Sequence, residues 1–133
     1  MLQTAAARYE RVKVTTTSKG ELLLALYEGL FRFLKGAQIC FERGERVRGR
    51  ELSSKAHAII SEFQIALDPD KAPELCAQLS ALYDFCLDRL LQGSAKAEAQ
   101  PIQDVIRVLT PLYDAWQQAV PEAARQGICN RAE

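Results

Sequence analysis

The chain has 133 residues, 48% of them apolar and 26% charged, with no net formal charge. That is the composition of one globular domain, long enough to bury about two-thirds of its unfolded surface, and not of a disordered chain. No apolar run spans a bilayer, so stable membrane insertion is not expected, and a nucleic-acid partner is disfavoured because a basic surplus is missing.

The charge is unevenly spread. Residues 1–50 carry ten Lys/Arg against five Asp/Glu, a net of +5, and residues 51–133 carry seven against twelve, a net of −5. Helices of opposite sign packing side by side explain this, as does a polarised surface that orients a partner.

Residues 1–17 hold no helical stripe. Val12, Val14 and the Thr15–Thr17 run are β-branched, which predicts an extended arm. Ser18 and Glu21 form a capping box, so a first helix is predicted over about 19–43. Leu22, Leu26, Leu30, Leu34 and Phe41 mark its apolar face, and Leu24 and Phe31 widen it beyond one stripe. Gly44 and Gly49 are read as brackets of a charged turn. A second helix is predicted over about 50–67, with Ala56, Ile60 and Phe63 inward, ending at Asp68-Pro69.

A third helix is predicted over about 72–92. Leu75, Leu79, Leu82, Cys86 and Leu90 line its face, Tyr83 flanks them, and Gly93 suits its stop. A fourth helix starts at Pro101 and runs to about 120, through Ile102, Val105, Leu109, Tyr113 and Trp116. Pro111 should kink it one turn earlier. Pro121 is placed to open a short last helix, and residues 127–133 are read as a frayed tail. The fold class is therefore all-α, an antiparallel up-down four-helix bundle over 18–126.

Chemistry is absent from the pattern. His57 is the one histidine, so neither a carboxylate-bridged metal site nor a catalytic constellation can be assembled around it. Phosphate-binding loops, nucleophile elbows and Cys-x-x-Cys pairs are missing. Cys40, Cys76 and Cys86 lie in apolar runs and read as reduced core residues of a cytosolic protein. Met1 to Tyr9 lacks the order of a secretory signal. No catalytic residue, metal or cofactor is expected.

Several fragments resemble the flagellar secretion chaperones of the FliS family. Thr17-Ser18-Lys19-Gly20-Glu21-Leu22 leading to Leu26-Tyr27-Glu28-Gly29 is similar to that family's first-helix signature, with Tyr9 upstream. Lys55-Ala56-His57-Ala58-Ile59-Ile60, Leu82-Tyr83-Asp84 with Arg89-Leu90, and Ala115-Trp116 match its later helices in order. Leu91-Gln92-Gly93-Ser94, the Pro69 to Pro73 turn and Pro111 depart from the family pattern.

The resemblance implies a cytoplasmic chaperone that binds the disordered C-terminal segment of flagellin. It would prevent early polymerisation and present its client to the flagellar type III export gate, with the arm lying over part of the groove. Candidate contact residues are Leu24, Phe31, Ile65 and Phe85, which lie beyond the core stripes, and Tyr9 and Val12, which would dock the arm. Tyr27, Tyr83 and Trp116 match the family but sit on core stripes, where any role is indirect. The residues alone leave open an adaptor or chaperone for another export client, a cofactor-carrying bundle, and self-association.

Overall fold

Helical periodicity decides the architecture. The computed structural model describes residues 19–126, with side chains as far as Val120. The arm over 1–17, with Tyr9 and Val12, the Ser18 cap and the tail over 127–133 lie outside the described residues. Helix α1 spans Lys19–Glu42, α2 Arg46–Ile65, α3 Pro73–Lys96 and α4 Gln100–Gln126. Each helix packs on its chain neighbour, and α1 closes the ring against α4.

Cross-contacts run in opposite chain directions. Tyr27 stacks on Phe63 near the start of α1 and the end of α2, whereas Arg50, early in α2, reaches the carbonyl of Ser94, late in α3. Gln103, early in α4, meets Glu42, late in α1. The helices therefore alternate up and down, as their short links require.

The inward positions recur at three- and four-residue steps. Tyr27, Leu30 and Leu34 of α1, Ile60 of α2, Cys86 and Leu90 of α3, and Ile102, Val105 and Leu109 of α4 are fully enclosed. Each fully buried aliphatic side chain of this kind contributes about 1.5–3 kcal/mol of transfer free energy. Cys40, Cys76 and Cys86 are buried free thiols, as their apolar surroundings suggested.

Several boundaries differ from the sequence-based expectation. Helix α2 begins at Arg46 rather than near 50, so Gly49 is helical. Its bare Cα lets the Phe41 ring approach: a Cβ there would lie 2.5 Å from Phe41 Cε1. The turn is made by Gly44 instead, at φ +77°, a conformation glycine tolerates best. The same helix ends at Ile65, two residues short of the expected 67.

Gly93 is likewise internal to α3, whose helical run reaches Lys96. A Cβ on it would meet Ile102 Cδ1 at 3.0 Å. The stop comes at Ala97, in the left-handed region at φ 54°, ψ 47°. Glu98 N–H donates to Gly93 O at 3.0 Å and Ala97 N–H to Ser94 O at 3.3 Å, the paired bonds of a Schellman cap. An alanine in that conformation costs about 1 kcal/mol relative to glycine. Ala97→Gly is therefore expected to stabilise the protein by about 0.5–1 kcal/mol, read as a raised denaturant midpoint at constant slope.

Helix α4 carries Pro111 and Pro121 in one helical run, and no separate helix opens at Pro121. Pro111 and Arg107 are exposed, so the carbonyl that loses its donor faces water. Thr110 Oγ1 adds a 2.6 Å bond to Ile106 O beside it.

Candidate functional site

Tyr27, Tyr83 and Trp116 converge from α1, α3 and α4. The Tyr27 and Tyr83 hydroxyls are 2.7 Å apart, and Trp116 Nε1 donates to Tyr27 Oη at 3.3 Å. Since an indole only donates, the natural chain runs from Trp116 N–H to Tyr27 and from the Tyr27 O–H to Tyr83. Phe63 stacks on Tyr27 with centroids 4.6 Å apart, and Tyr113 on its other neighbouring side at 5.9 Å.

Burial pushes the Tyr27 phenol above its usual pKa, against the lowering effect of its hydrogen bonds to Tyr83 and Trp116. Tyr83 moves up for the same first reason, and the Cys86 thiol is pushed up to about 12 by burial. None of these groups can serve as a base or nucleophile near neutrality. Tyr27 at 0% and Tyr83 at 3% exposure pack between the helices.

The outward candidates stand on different faces. Ile65 is 75% exposed on α2 and Phe85 40% exposed on α3. The Arg89 guanidinium sits 5.3 Å from the Phe85 ring centroid and 3.8 Å from Asp104, which places Phe85 beside the seam of α3 and α4. Leu24 is half-buried. Phe31 is half-buried against the core, tilted 58° to Tyr113 at 5.5 Å.

Sequence reasoning missed other exposed apolar groups. Leu22 and Leu26 on α1, Leu75 on α3 and Leu91 beside buried Leu90 all stand partly in solvent. Periodicity puts Leu75 on the inward stripe of the third helix, but the buried line there runs through Cys76, Leu79 and Tyr83. The signal for Leu91 lay in its being adjacent to Leu90, because neighbouring residues on a helix cannot share a face.

The outer joint of α2 and α3 forms a groove. At one end Gln64 Nε2 donates to Asp84 Oδ1 at 2.7 Å and to Ser80 O at 3.1 Å. At the other, a cleft of about 490 Å³ opens between Arg50, Ser54 and His57 of α2 and Leu90, Leu91 and Ala95 of α3. Arg50 Nε donates to Ser94 O at 2.8 Å across it, and Ser94 Oγ to Ser53 Oγ at 3.0 Å beneath it. Between the ends, the outer line of α2 offers only the small side chains of Ser54, Ala58 and Ser61, so a visiting helix could lie close. Among the described residues, no group of side chains could hold a metal ion, and no helix is long and apolar enough to cross a membrane.

Comparison with known proteins gives a consistent result. The family model described as Flagellar protein FliS matches residues 1–123. The Flagellar secretion chaperone FliS of Salmonella typhimurium is 35% identical over 114 residues, covering 85% of this chain and 84% of that protein. Its Bacillus subtilis counterpart is 33% identical over 119 residues, covering 90% and 88%. A crystal structure titled as a flagellar chaperone from bacteria shares the fold, with a TM-score of 0.73 at 22% identity over 92% of this chain and 99% of that one.

Proposed function

Because this chain belongs to the FliS family of flagellar secretion chaperones, which are not enzymes, we propose that its client is the disordered C-terminal segment of newly made flagellin. It holds that segment in the cytosol, prevents premature polymerisation and presents it to the flagellar type III export gate. The observation that carries this reading is where the leftover apolar surface lies. Leu22 and Leu26 on α1, Ile65 on α2, and Phe85 and Leu91 on α3 are exposed on three different helices of one small bundle. A folded partner would want one contiguous patch. A flexible segment that folds as it wraps can use several separate ones.

Binding of a flagellin peptide spanning about the last 40 residues, a length suited to coupled folding on one domain, tests this by calorimetry against a scrambled peptide. The native peptide should bind with a negative heat-capacity change. Ile65→Ser and Phe85→Ser should each weaken it by about tenfold. Binding of the scrambled peptide at equal strength, or of flagellin lacking this segment, would sink the assignment.

Tyr9 and Val12 belong to the same proposal as anchors of a displaceable arm. Deleting residues 1–15 should then raise the association rate, and an unchanged rate argues against the arm.

A further inference from the structure

We propose that the cleft between the start of α2 and the end of α3 is a carboxylate site, and that it takes the C-terminal carboxylate of the client chain. The proposal rests on the flagellin reading above, and it adds the direction in which the client lies.

The chemistry is that of an unfilled anion receptor. Arg50 is fixed by its Nε bond to Ser94 O at 2.8 Å, and among the described residues its two terminal nitrogens have no hydrogen-bond acceptor. That leaves the end-on edge of the guanidinium, the geometry that grips a carboxylate with two parallel bonds. The Ser54 hydroxyl and the His57 imidazole line the same space, and Leu90, Leu91 and Ala95 form an apolar wall opposite. No carboxylate lines the cleft. The nearest acid of the adjoining depression, Glu51, is already paired with Arg48 at 3.0 Å. An exposed but anchored guanidinium edge, donors and a greasy wall together suit a carboxylate that carries an aliphatic side chain.

Position selects a chain end rather than an internal acid. The cleft lies at one extremity of the α2–α3 groove, where α2 begins and α3 ends. Arg46, Arg48, Arg50, Lys55 and Lys96 outnumber Glu45, Glu51 and Glu98 at this extremity, whereas Glu62, Asp68, Asp70, Glu74 and Asp84 outnumber Lys71 at the other. A segment lying in the groove thus has one favourable sense: its negative terminus towards Arg50 and away from the acidic turn that joins α2 to α3. The opposite charges of the two chain halves become a direction signal on this view.

The test compares a flagellin C-terminal peptide as free acid and as C-terminal amide, by calorimetry on the full chain. The acid is expected to bind about tenfold more tightly than the amide, the typical worth of a charged hydrogen-bonded pair. Arg50→Gln should bind both forms equally, at the level of the amide. Ser54→Glu, a change at an exposed helical position that spares the fold, should place a repelling carboxylate at the mouth and also erase the preference.

Equal binding of acid and amide by the unaltered chain overturns the proposal while leaving the flagellin reading intact. A preference that survives both Arg50→Gln and Ser54→Glu overturns it too, by locating the carboxylate elsewhere. Failure of both peptides to bind removes the flagellin reading and the proposal with it.

Discussion

Tyr27→Ala is expected to lower the unfolding free energy by about 4 kcal/mol, the range for deleting a large aromatic from a core. The ring is fully enclosed, and its loss leaves a void beside Phe63, which stacks on it at 4.6 Å. The hydroxyl matters separately. It accepts from Trp116 and bonds Tyr83, so Tyr27→Phe keeps the packing but leaves two polar groups without their partner. A buried unsatisfied group costs about 1–3 kcal/mol; half-buried Trp116 regains water, whereas Tyr83 does not. A loss of about 2 kcal/mol is therefore expected for Tyr27→Phe, and less for Tyr83→Phe, which leaves Tyr27 still bonded to Trp116. Urea unfolding of the three variants gives the order directly. Equal losses for the two phenylalanine variants would show that the hydroxyl chain adds nothing beyond its packing.

Gly49→Ala should destabilise the protein by about 2 kcal/mol, although alanine is the better helix former by about 1 kcal/mol. The new methyl would fall 2.5 Å from Phe41 Cε1 and 2.6 Å from Cδ1. Phe41 is itself buried in the core, so its ring cannot swing clear without opening a gap, and overpacking of this kind costs about 1–3 kcal/mol or more. Gly49→Val should lose still more. Gly29 supplies the control on the same measurement. A Cβ there meets only the flexible tip of Arg32 at 3.6 Å, so Gly29→Ala should gain about 0.5–1 kcal/mol. Stabilisation by both alanines would mean that α1 and α2 can move apart freely, contrary to the packing described.

These two glycines also mark where the sequence could be read and where it could not. Helix number and order followed from apolar periodicity, because a stripe through Leu30, Leu34 and Phe41 has one sensible burial. Local sequence places Gly49 and Gly93 in loops, yet both are helical and buried. Locally, a glycine that permits a turn and a glycine that permits close approach look alike. Only the neighbouring helix, which places Phe41 or Ile102 against it, separates the two. Pro121 misled, since α4 runs through it to Gln126 and no separate helix opens there. Proline's local cost is real, but α4 carries Pro111 on its exposed side, where water can meet the orphaned carbonyl.

The outward candidates were partly legible. Ile65 and Phe85 fell off every inward stripe, and both stand in solvent. Tyr27, Tyr83 and Trp116 lay on inward stripes, and they meet inside. The Arg50 cleft could not be anticipated. Its two walls are joined by a bond between residues 44 positions apart, and no local pattern announces that His57 and Leu91 will share a cavity.

Trp116 is the chain's single tryptophan, and its indole is tethered to the Tyr27 phenol inside the ring of helices. Its glow is thus a lamp lit from within. Heating or urea should dim or redden it as the four rods part, whereas cargo settling on the outer walls leaves it nearly constant. A colour change on loading cargo would accordingly report that the chaperone had loosened from the inside.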